Sequence, residues 1–179
     1  MLWISLALLS AFSLSTADAL SKRALSDTNE YAIAWVREGY SLPFLAAAFL
    51  FVPIPHLDGT FWITLLVLLP LEIGAILLYV KAIQASPLSL TIPFMAFSPV
   101  FIILTAFIVL GELPDSSGLT GILCVTGGAY LLNVRTASEG LLGPIRAIGK
   151  ERGSLLMILV ALIYSITSTL GKVAVSHSS

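Results

Sequence analysis

Glu72 stands midway in TFWITLLVLLPLEIGAILLYVKAI, residues 60–83, a run with no other charge until Lys81. A charged side chain at a bilayer centre costs about 2.5–3.5 kcal/mol on insertion scales. A short carboxylate cannot snorkel to the headgroups as a long side chain does. Glu72 is therefore expected to face a protein interior, protonated or paired. Two chemistries fit that position: a carboxyl that takes up and releases a proton, which is a coupling device, and a neutral glutamic acid bonded between helices. Pro70 frees a backbone carbonyl nearby, and Tyr79 lies seven residues on, two turns along the same helical face.

A second polar set lies near the start of the chain. Ala11, Ser15, Asp18 and Lys22 are spaced by four, three and four, which places them on one helical stripe. Asp18 and Lys22 can pair at i, i+4 in the acid-before-base order that suits the helix dipole. Arg37 and Glu38 are adjacent, so they do not share a face. Arg37 is read as an anion-recognising group, as a partner for Asp18 or Glu72, or as a snorkelling interfacial cation. There is no HExxH, no GxSxG and no zinc spacing. Thr169-Leu170-Gly171-Lys172 lacks the preceding glycine of a phosphate loop, and His56 and His177 are isolated. No catalytic residue, metal site or cofactor is expected, and the chain is not read as an enzyme.

These groups need elements to hold them, and composition says in what solvent. Of 179 residues, 58% are hydrophobic and 11% charged, against about 25% charged in soluble domains. Mean hydropathy is +1.00. The expected partner is the lipid bilayer. A net charge of −1 leaves no nucleic-acid footprint. A single cysteine, Cys124, excludes an internal disulfide and is expected to be a small buried residue. Six apolar runs approach the roughly 20 residues needed to cross a bilayer: 2–21, 31–52, 60–83, 87–110, 117–134 and 154–175. In lipid each must be a helix, because its amides find no water. Pro87 is expected to open the fourth helix, Pro93 and Pro99 to bend it, and Gly111-Glu112 to end it. Thr120, Cys124 and Gly128 recur every fourth residue as a small-residue packing seam. Lys and Arg follow the odd-numbered spans, which votes for those connections in the cytoplasm and an N-terminus outside.

LSTADALSKRAL, residues 14–25, contains an Ala17-Asp18-Ala19 that looks like a signal cleavage site. The segment lacks the positively charged start of a signal peptide, and it recurs. Shifted by 150 positions, residues 5–26 fall on 155–176 without a gap. Leu6, Leu9, Ala11, Ser15, Leu20, Lys22, Ala24 and Ser26 match Leu156, Leu159, Ala161, Ser165, Leu170, Lys172, Ala174 and Ser176. The first span is therefore read as a permanent helix. The stripe on its copy is Ala161, Ser165, Ser168 and Lys172, and two such stripes are expected to face each other across one cavity, with snorkelling of Lys22 and Lys172 as the alternative. An odd number of spans between the copies makes them run in opposite directions, the plan of an inverted-repeat transporter.

Residues 79–132 carry a more particular pattern: Ala82 and Ala85, Ser86-Pro87, mid-helix Pro99, Gly111-Glu112, then Gly121 and Gly127-Gly128. In this the chain resembles the drug/metabolite transporter superfamily, EamA-like branch; Arg37 resembles an arginine often seen in its second helix. The resemblance implies an all-α polytopic membrane bundle and an incomplete ten-helix inverted-repeat transporter. Residues 1–135 would form the first five-helix repeat, 136–153 a linker, and 154–179 the first helix of a truncated second repeat. It implies both ends in the cytoplasm, against the charge vote, so orientation stays open. The implied function is a secondary carrier in the cell membrane for small organic metabolites or drugs, with proton coupling and homodimerisation as further expectations. The alternative is a non-transporting subunit or inactive remnant that assembles with a partner. The residues expected to bind solute or couple ions are Ser15, Asp18, Lys22, Arg37, Glu72, Tyr79, Ser165, Ser168 and Lys172.

Overall fold

Helix starts and stops follow local side-chain chemistry. The computed structural model describes residues 2–51, 55–134 and 151–178, and every regular element among them is helical. α1 (Leu2–Ala24) ends on Lys22 and Arg23, cations that suit the negative end of its dipole. Asn29 opens α2 (Glu30–Gly39) by accepting the Ala32 N–H at 2.8 Å. The continuous helix expected over 31–52 is instead two, α2 and α3 (Leu42–Phe49). Pro43 has no N–H to give the Gly39 carbonyl, and the Ser41 hydroxyl bonds the Glu38 carbonyl at 2.6 Å. The chain turns at Tyr40-Ser41 as a result.

Asp58 caps α4 (Gly59–Ala85) by accepting the Phe61 N–H at 2.8 Å. The three prolines of the next span act together. Pro87 precedes α5 (Leu88–Thr91), a 3₁₀ segment runs over Ile92–Phe97 across Pro93, and Pro99 lies in the first turn of α6 (Ser98–Leu110). The expected bend thus takes the form of a tighter winding, in which the Phe94 and Phe97 rings stack at 6.2 Å. Gly111 closes α6 at φ 69°, a left-handed position that costs glycine nothing. α7 (Ser116–Val134) and α8 (Arg152–Ser176) complete the fold. Among the described residues, four spans are long and apolar enough to cross a membrane: Trp3–Ala24, Gly59–Ala85, Leu88–Leu110 and Arg152–Ser176. Of the expected linker, 136–150 lie outside the described residues, and Arg152 and Gly153 already belong to α8.

α4 and α8 form the core pair and run antiparallel. The Ser86 hydroxyl, at the end of α4, bonds Glu151 at 2.7 Å beside the start of α8. His177, at the other end of α8, meets Asp58 at 2.7 Å. Between these ends Tyr79, Val80, Ala82 and Ile83 pack with Met157 and Val160, and Ile33 and Ala34 of α2 join them. Gly153 permits the close approach: a Cβ there would lie 2.6 Å from the Ser86 Cβ and 2.7 Å from the Ala82 carbonyl oxygen. α6 packs on α8 through Thr105, whose hydroxyl is 2.9 Å from that of Thr169 and bonds the Ser165 carbonyl at 3.2 Å.

Two expectations about α7 are corrected. Cys124 is exposed rather than buried, and so are Thr120 and Gly128. The helix turns its Thr126 side inward instead, with the hydroxyl on the Ala96 carbonyl at 3.3 Å. The small-residue seam therefore faces away from the bundle. That follows from the 3₁₀ segment, whose loosened carbonyls offer α7 a polar contact.

Candidate functional site

Four helices send polar groups to one region of the core. From α1 comes Asp18, only 6% exposed, with buried Ser21 one turn on. From α2 comes Arg37, which donates from Nη1 to Asp18 Oδ1 at 2.7 Å and to Ser21 Oγ at 3.2 Å. From α4 comes Tyr79, buried, with the guanidinium 5.1 Å from its ring centre and Asp18 also in interaction with it. Of the alternatives for Arg37, the structure contains the pairing with Asp18. No Asp18–Lys22 ion pair exists among the described residues. Asp18 is turned to α2, and Lys22 reaches the end of α4. There its ammonium donates to the carbonyls of Ile83 (2.5 Å), Gln84 (3.2 Å) and Ser86 (3.1 Å), which have no acceptor role left inside the helix.

Glu72 lies thirteen residues from either end of α4, and Tyr164 twelve from either end of α8. Tyr164 lies within the electrostatic reach of Glu72, and of Glu38, Arg37 and Asp18. Glu72 is half-buried and takes no hydrogen bond or ion pair among the described residues. Ser21, Glu38 and Tyr164 were absent from the candidate residues. Ser21 and Tyr164 are hydroxyls in apolar runs and carry no charge to mark them, although Tyr164 sits next to Ser165 at mid-span; Glu38 is charged, but its adjacency to Arg37 assigns it no role.

The two repeat-related stripes do not face each other across one cavity. Ser15 is exposed and bonds back to the Ala11 carbonyl at 2.9 Å. Ser165 is buried, bonding the Leu162 carbonyl at 2.6 Å. Lys22 sits beside the start of α8 and Lys172 near its end, about 30 Å apart at 1.5 Å per residue. Contacts at the end of α4 put α1 and α8 in opposite directions, so equivalent positions go to opposite ends of the bundle. Ser168 and Lys172 instead line a separate cleft of about 300 Å³ with Thr169, Ile102, Ala106 and Glu112, and Lys172 pairs with Glu112 at its mouth.

That end of the bundle also holds the Asp58–His177 pair. The Phe61 backbone N–H, with His177 adding to it, holds the Asp58 carboxyl below the ordinary carboxylate range. A carboxylate so favoured in the folded state stabilises it above the unfolded pKa and loses that effect as pH falls through the folded value. Unfolding midpoints in detergent should therefore drop on acidification below about pH 4. Asp58→Asn, which keeps a capping oxygen, should flatten that part of the profile; an unchanged profile would refute the assignment.

Apolar helices of spanning length around an ionisable interior define an integral membrane protein. Residues 1–134, covering α1 to α7, match the EamA-like transporter family, and the chain belongs to that family. No curated protein and no solved structure matches it. Membership carries a transporter-type function. α8, which supplies Tyr164, lies outside the matched residues.

Proposed function

We propose that the chain acts as a secondary carrier of small organic solutes in the cell membrane, with Glu72 as its proton-coupling group. The observation that carries this reading is the unpaired Glu72 at the middle of α4, beside Tyr164 at the middle of α8. An ionisable group at that depth serves a solute or ion pathway far more often than it serves packing, and carriers place such sites at the midplane between repeats. Asp18 and Arg37 form a neutralised pair that, with Tyr79 two turns along α4, fixes the wall of the site. α8 is read as the first helix of a second, inverted repeat in a ten-helix architecture, and rocking of one repeat against the other would expose Glu72 to each side in turn.

The test is uptake into vesicles reconstituted with the full chain, driven by a pH gradient and read by mass spectrometry on a metabolite mixture. Glu72→Gln, which cannot carry a proton, should abolish gradient-driven accumulation while leaving solute exchange. Accumulation indifferent to the gradient in both proteins removes proton coupling. Absence of any moved solute removes the carrier reading. A subunit that completes a partner is the second reading, supported by α3, none of whose residues is buried; it expects transport only when a copurifying partner is present.

A further inference from the structure

A groove between α2 and α4 opens beside the site above and shares Glu38 with it. Tyr31, Ala34, Trp35 and Glu38 stand at i, i+3, i+4 and i+7, one face of α2. With Ile73, Ile76 and Leu77 of α4 they line an open groove of about 310 Å³, within the roughly 300–1,000 Å³ of small-molecule sites. Glu38 is the only charged group in this lining. Its carboxylate makes no hydrogen bond or ion pair among the described residues, because the neighbouring Arg37 is committed to Asp18.

Glu38 is exposed on the side of the bundle, with nothing among the described residues covering its carboxylate, and an acid left in that state against lipid is costly. α2 runs antiparallel to α4, with Glu30 3.8 Å from Lys81 at the outer end. Glu38 lies eight residues further along, about 12 Å, beside Ile73 and within electrostatic reach of Tyr164 at mid-α8. An unpaired acid there calls for a cation. Lys81 and Glu30 offset each other at the outer end. The aromatic faces suit a cation as well. The Lys81 ammonium already lies 5.4 Å from the Tyr31 ring centre, and the Trp35 ring is 72% exposed beside Glu38. A carboxylate, two rings and an aliphatic wall complement a cation with an apolar body.

We propose that this groove binds an amphiphilic organic cation, a quaternary or protonated amine with a hydrophobic tail, that arrives from the surrounding lipid and passes toward Glu72. The proposal names a solute class for the carrier reading and rests on it for onward passage, but binding is measurable without transport. The full chain carrying Trp3→Phe and Trp62→Phe leaves Trp35 as its one indole. In phosphatidylcholine vesicles, a bromoalkyl-trimethylammonium should quench Trp35 at about tenfold lower membrane concentration than the bromoalkyl alcohol or sulfate of equal chain length. Glu38→Gln should erase that preference with an unchanged circular dichroism spectrum, since no partner is lost. Glu112→Gln, at the opposite end of the bundle, should keep it. Equal quenching by all three probes, or a preference that survives Glu38→Gln, overturns the proposal. So does quenching by brominated phosphatidylcholine that the free cation cannot relieve, which would make the occupant a lipid headgroup. Binding that persists where no solute is moved sustains the groove and defeats only the carrier reading.

Discussion

Arg37→Ala is expected to lower stability in detergent by about 3–5 kcal/mol, the scale for removing one partner of a buried ion pair. The charge it leaves, on Asp18, is 6% exposed, and its other neighbours, Ser21 and Tyr79, cannot neutralise a carboxylate. The loss should be largest in α1. That helix exposes Trp3, Leu9 and Phe12 and is fastened by Asp18 and Lys22 near its end. Proteolysis or hydrogen exchange should thus show α1 released before the α4–α8 pair opens. Asp18→Asn combined with Arg37→Gln removes both charges together and should recover more than half of the loss. The idea fails if the single substitution costs under about 1 kcal/mol, the range of an exposed pair.

Gly153→Val should be nearly as damaging, for a steric reason. Its Cβ would be placed 2.6 Å from the Ser86 Cβ and 2.7 Å from the Ala82 carbonyl oxygen. The second neighbour is backbone of α4 and cannot rotate away. Relief requires α4 and α8 to part, which strains the packing of Ala82, Ile83 and Met157 and pulls Ser86 off Glu151. Overpacking of this kind costs about 1–3 kcal/mol for a single methyl-sized intrusion, so Gly153→Ala should already lower the melting temperature and Gly153→Val should lower it further. Adding Ser86→Gly to Gly153→Ala should restore only part, because the Ala82 carbonyl stays in place. Gly121→Ala, where nothing lies within 4 Å, is the control that should be silent in the same melt.

The depth of Glu72 was readable because hydropathy fixes where a charge falls along an apolar run. The end of α6 was readable because Gly111 is the residue that a left-handed turn favours. Partners across helices were not. Arg37 could be assigned to Asp18, to Glu72 or to the headgroups, and only the antiparallel seating of α2 on α4 selects Asp18. Lys22 looked like a snorkelling cation because the carbonyls it meets belong to residues 61 to 64 positions away. The break between α2 and α3 carried a visible signal, Gly39 and Pro43, which averaging over a long apolar window erased. Thr120, Cys124 and Gly128 announced a surface that another helix could approach closely, but spacing alone does not say whether anything within the same chain does so.

The 3₁₀ stretch over Ile92–Phe97 is a store of unspent rotation. Each residue there advances about 120° around the axis and 2.0 Å along it, against about 100° and 1.5 Å in an α-helix. Rewinding its six residues to α geometry would swing α6 through about a third of a revolution and draw it in by about 3 Å. Thr105 would then leave its seat against Ser165 and Thr169. Torsion about a proline-marked axle, with the neighbouring coils held still, is a way for this bundle to re-aim one wall without unfolding any of it.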